Sequence, residues 1–161
     1  MTTLALLSVP IKRLFERVDV AASNPELETA LEHCVHRRGN RLFPEAGDLH
    51  LAELGGTTAH LFILSQKEPP ARDWEIVLIG GAASAILVPQ GDWPALARLG
   101  NRRVAVHLRR LLDLMKETCE PVAASFALRT GRQPEHFQLL IAPLSSDGQH
   151  VDGALGGIVR D

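Results

Sequence analysis

The last 28 residues, PEHFQLLIAPLSSDGQHVDGALGGIVRD, constrain this chain more than any other stretch. His136 to Leu144 alternates and then fills with apolar residues, Asp147-Gly148 supplies a turn pair, and Val151 to Val159 runs back, with Gly153, Gly156 and Gly157 thinning one face. The pattern predicts an antiparallel hairpin. A pairing of this kind ends a sheet and does not by itself build a catalytic centre.

The rest of the chain supplies partners for that hairpin. Ala59 to Ser65 and Trp74 to Ile79 are apolar runs of strand length, joined by a polar turn around Glu68 to Asp73. Val122 to Leu128, the turn Arg129-Thr130-Gly131-Arg132 and Phe137 to Ile141 give a further antiparallel pair. Between the two groups lies the strongest helical pattern. Val104, Leu108, Leu111, Leu112 and Met115 share one stripe, Arg109, Arg110, Asp113, Lys116 and Glu117 face away, and Pro121 ends it. Residues 82–100 carry prolines, glycines and short apolar bursts, which argue for loops and short helices; Asp92 can cap a turn with Trp93, Leu96 and Leu99.

Two helices are expected before the sheet. Ile11, Leu14, Phe15 and Val18 recur at helical spacing with Lys12, Arg13, Glu16 and Arg17 opposite. In the second, Ser23 and Glu26 suggest a capping box, Leu27, Ala30, Leu31, Cys34 and Val35 form the stripe, and Arg37-Arg38-Gly39 closes the end. A short helix near Leu49 to Leu54 should break at Gly55-Gly56. Five strands around a helical crossover predict an α+β domain, a five-stranded antiparallel sheet with helices packed on one face. Residues 1–22 form an N-terminal helical extension and 23–161 the domain proper.

Composition narrows the function classes. A net charge of -2 gives phosphate backbones no basic face, so nucleic acid is not an expected partner. Cys34 and Cys119 form neither a CxxC pair nor a zinc spacing, which points to a reduced, cytoplasmic chain. No apolar run reaches the roughly 18 residues of a membrane span, and the start MTTLALLSVPIKRL has no positive region ahead of its apolar patch. We therefore expect neither membrane insertion nor export.

The order of elements is that of the PAS topology, and the residues resemble a group of short stand-alone bacterial PAS-domain proteins of alphaproteobacterial type. The resemblance runs from about Leu27 onward. It is carried by Leu42-Phe43-Pro44 with Asp48, by WEIVLIG from Trp74 to Gly80, by Pro121, and above all by IAPLSSDGQHVDGALGGI from Ile141 to Ile158. Residues 81–91 depart from it, being alanine-rich and apolar where the group has a polar, arginine-bearing loop.

The resemblance implies a sheet curved around a small cavity. Strand alternation and the crossover helix then assign its lining to Trp74, Ile76, Leu78, Leu108, Leu112, Phe126, Leu128, Phe137 and Leu139. It also implies a homodimer made through the apolar N-terminal helix, at Ile11, Leu14, Phe15 and Val18. Among PAS cofactors, flavin photochemistry needs an Asn-Cys-Arg-Phe loop that neither cysteine occupies. Haem would need a histidine on the crossover helix, where His107 lies beside the apolar stripe.

His33 and His36 are three apart on a polar helix face without a third ligand nearby in sequence, so no metal is assigned. Ser145-Ser146-Asp147 before a glycine has the composition a turn wants. Gly80-Gly81 and Gly156-Gly157 lack the lysine and the setting of a phosphate loop. The expected function is a non-enzymatic sensory or regulatory domain in bacterial signalling, binding a small apolar ligand or a protein partner. The alternatives are a small-molecule enzyme or carrier, for which Ser125 and His136 would be tested, and a haem sensor.

Overall fold

A computed structural model describes residues 24–39, 41–66, 73–88, 102–129 and 132–160. The helical expectations for Ile11 to Val18, the Ser23 cap and the turn after Asp92 lie outside these residues.

The first described helix, α1 (Pro25–Arg38), starts where Asn24 accepts a hydrogen bond from the Leu27 amide at 3.1 Å, with Pro25 in the first turn. Asn24 therefore supplies the cap that sequence spacing gave to Ser23. Leu27, Ala30 and Cys34 are buried, whereas Val35, expected on the stripe, is 49% exposed. A 3-10 turn (Ala46–Asp48) and a longer 3-10 run (Leu51–His60) lead into the sheet. Gly55, at φ 57° and ψ -128°, is non-helical and divides the longer run in two, where the break was expected.

Five strands follow: β1 (Leu61–Gln66), β2 (Trp74–Ile79), β3 (Val122–Arg129), β4 (Pro134–Leu144) and β5 (Gly153–Arg160). Between β2 and β3 lie α2 (Gly81–Leu87) and α3 (Arg102–Thr118). The sheet is antiparallel throughout in the order β2-β1-β5-β4-β3. The fold is the α+β, PAS-like five-stranded sheet expected, and the C-terminal hairpin lies at its centre, since β5 pairs with both β4 and β1. Gly148, at φ 79°, allows the turn after Asp147.

Helices cover both faces of this sheet. The one-face arrangement holds for α2 and α3, which pack with Phe62, Leu64, Trp74, Ile76, Phe137, Leu139 and Ile141 on what we call the inner face. On the outer face α1 packs with Leu61, Ile63, Leu140, Ala142, Leu155 and Val159. Two apolar layers explain why β4 and β5 read as nearly continuous hydrophobic runs. Adjacent glycines set the close approaches on β5. A methyl at Gly156 would stand 2.2 Å from the Phe62 ring on the inner face, and one at Gly157 would stand 2.6 Å from Leu27 on the outer face.

Candidate functional site

Trp74, Ile76, Leu108, Leu112, Phe137 and Leu139 meet in one cluster, as strand alternation and helical spacing predict, and each is at most 3% exposed. Phe126 packs against the same cluster, half-buried. With Phe62, Leu64 and Met115 these side chains belong to one buried hydrophobic cluster, the core of the described part of the inner face. The Leu128 side chain lies outside the described residues, as do Ile11, Leu14, Phe15 and Val18.

Leu78 does not join this group. Ile63 pairs with Leu78 and Leu64 with Ile76, so Val77 is the extra residue of a β-bulge. The bulge reverses the alternation. Ile79 turns inward, and Leu78 passes to the outer face, 48% exposed, beside Val77 at 58%.

At that point the outer face holds an open groove of about 650 Å³. Its floor is Ile63, Leu64, Ser65, Val77, Leu78 and Leu144; its walls are Glu45, Ala46 and Gly47 on one side and Ser145, Ser146, Asp152 and Gly153 on the other. Sequence reasoning missed it. The one local hint was Ile76-Val77-Leu78-Ile79, four apolar residues in a row where a half-exposed strand alternates.

The walls are held by hydrogen bonds. In the β4–β5 turn Ser145 Oγ donates to Asp147 Oδ1 at 2.8 Å and accepts from the Gly148 amide at 2.9 Å. The same carboxylate accepts from the Gln149 and His150 amides at 2.8 and 2.7 Å and pairs with His150 Nδ1 at 2.9 Å. These bonds, His150's first, hold the Asp147 carboxyl well below the usual carboxylate range. Ser146 bonds to Asp152 through both its amide and its hydroxyl. His150 thus partners the aspartate and not a serine, and the cluster is turn chemistry. Opposite, Arg37 Nε donates to the Asp48 carbonyl at 2.7 Å, Arg41 pairs with Asp48, and His33 Nε2 donates to the Leu49 carbonyl. These contacts tie the Ala46–Asp48 turn to the C-terminal half of α1.

The remaining titratable groups are dispersed. His107 stacks on Phe126, ring centroids 4.4 Å apart, Phe126 stacks on Phe137 at 5.5 Å, and the Arg160 guanidinium lies over Phe137 at 5.5 Å. Burial, and then Arg110, pushes the His107 pKa down. Cys34 is buried and its thiol is pushed up to about 11, whereas Cys119 is exposed. His60 keeps a buried Nδ1 without a hydrogen-bond partner. Among the described residues no three His, Cys, Asp or Glu side chains could hold a metal together, and no helix is long and apolar enough to cross a membrane.

No family model matches the chain, and no curated protein matches it. Among solved structures it is similar to the LOV protein of Rhodobacter sphaeroides, at 14% identity and a TM-score of 0.42. It is also similar to the RsLOV d2 variant, at 16% identity and a TM-score of 0.41. Each match covers 63% of this chain, which spans 58% of the length of either.

Proposed function

We propose that this chain is a non-enzymatic PAS-like regulatory domain that acts through a protein contact made at the outer-face groove. The observation that carries the reading is the contrast between the two faces of the sheet. On the inner face Trp74, Ile76, Leu108, Leu112, Phe137 and Leu139, assigned to a ligand cavity, lie in one buried cluster. On the outer face Val77 and Leu78 stand exposed in the floor of an open groove. Catalysis gains no support from the Ser145, Asp147 and His150 cluster, whose bonds are spent within one turn. A signal would leave as a population shift, the partner favouring one arrangement of the groove walls.

A photo-crosslinking residue placed at Val77, and separately at Val106 on the exposed side of α3, tests the proposal in producing cells. Adducts of discrete mass at position 77 that are absent at 106, and lost when Leu78→Asp is added, are the expected result. The same adduct pattern at both positions would refute it.

A further inference from the structure

We infer that the outer-face groove takes a short segment of a partner protein in which apolar side chains stand beside an arginine or lysine, the apolar ones meeting Val77 and Leu78 and the cation meeting Glu45 and Asp152. This rests on reading the groove as a protein-binding surface, and it names the chemistry of the segment bound there.

The floor supplies the apolar contact. The bulge at Val77 leaves two successive β2 side chains, Val77 and Leu78, exposed in one groove with Ile63. A volume of about 650 Å³ lies within the range of about 300–1,000 Å³ that holds a small molecule, so the groove takes a few side chains of a segment.

The walls supply the charge. Glu45 and Asp152 are the charged residues that line the groove, and both are acidic. They stand on walls bonded together, since the Ser145 amide donates to the Pro44 carbonyl at 3.0 Å. The Glu45 side chain is exposed and makes no hydrogen bond or ion pair among the described residues. Asp152 is fixed by the Ser146 amide and hydroxyl, neutral donors that leave its charge in place. Cations near the walls are already engaged: Arg41 pairs with Asp48, Arg37 donates to the Asp48 carbonyl, and His150 pairs with Asp147. A cationic side chain therefore complements the groove, and an acidic segment is repelled. A twofold pairing of groove on groove would bring Glu45 and Asp152 against their own copies, so a second copy of this chain does not suit the site.

A displayed library of random peptides, selected on the full chain and counter-selected on Leu78→Asp, tests the assignment. Enriched peptides should carry arginine or lysine beside leucine, isoleucine, valine or phenylalanine. Measured by fluorescence polarisation, such a peptide should bind Glu45→Lys about tenfold more weakly than wild type, lose binding to Leu78→Asp, and bind Val106→Asp as it binds wild type. With its basic residue replaced by glutamate, the peptide should prefer Glu45→Lys to wild type, an inversion that misfolding could not produce. Acidic or uncharged enriched peptides, a selection that enriches none, or equal binding to wild type and Glu45→Lys would each overturn the inference. The crosslinking experiment reads contact at Val77 whatever the partner's charge, so adducts there beside a failed selection would overturn the basic segment and leave the protein contact standing.

Discussion

Gly156→Ala measures how tightly the inner face is packed. The alanine methyl would stand 2.2 Å from Cε2 and Cζ of Phe62, whereas ordinary contact begins at 3.4 Å. The ring must therefore move by at least 1.2 Å, and Phe62 is fully buried among core side chains that would have to move with it. Overpacking of this kind costs about 1–3 kcal/mol, while replacing a strand glycine by alanine returns about 0.5–1 kcal/mol. We expect a net loss of about 1–2 kcal/mol, which for a chain of this size lowers Tm by about 3–8 °C.

Urea unfolding of Gly156→Ala, Phe62→Leu and the double variant separates overpacking from a general defect. The smaller leucine makes room for the methyl, so the double variant should be less destabilised than the sum of the singles by about 1 kcal/mol. If Phe62 instead bordered a cavity, the ring would swing aside. Gly156→Ala would then unfold within about 0.5 kcal/mol of wild type with no coupling to Phe62, and the packed-face reasoning would be refuted.

Three further expectations follow from local contacts. Asn24→Ala removes the bond to the Leu27 amide and should cost about 1 kcal/mol in urea unfolding, whereas Ser23→Ala should cost less. A thiol-reactive dye should label exposed Cys119 in the folded protein and reach Cys34, buried and with its thiol pushed up to about 11, only on unfolding. The Asp147 carboxyl has a folded pKa below its unfolded value, so its stabilisation is present above about pH 4 and is lost as pH falls below it. The stability difference between wild type and Asp147→Asn should accordingly shrink on acidification through that range, and a constant difference would contradict the assignment.

The fold was legible wherever one local signal decided the structure. The turn pair Asp147-Gly148 and the flanking apolar runs marked the C-terminal hairpin, and the stripe from Val104 to Met115 marked α3. The register of β2 was not legible, because Val77 as an extra residue is visible only in its pairing with β1, and that one bulge moves Leu78 to the other face. The helix start was narrowly missed: Ser23 and Asn24 are both good caps, and the choice depends on which side chain meets the Leu27 amide. Nor could spacing reveal the groove, whose walls come from Glu45 to Gly47 and from Ser145 to Gly153, brought together only by the sheet order. The covering of both faces could have been suspected from β4, where an almost unbroken apolar run leaves no side for solvent.

Native mass spectrometry of the purified full chain, recorded beside its absorption spectrum, tests most directly the claim that the described part of the inner face is core formed by the chain's own side chains and holds no ligand. The account predicts a mass equal to the 17.5 kDa chain or a whole multiple of it, with no absorption band beyond that of the two tryptophans. An excess mass released on denaturation, or a Soret band lost in His107→Ala, would contradict it and return the chain to the ligand sensors.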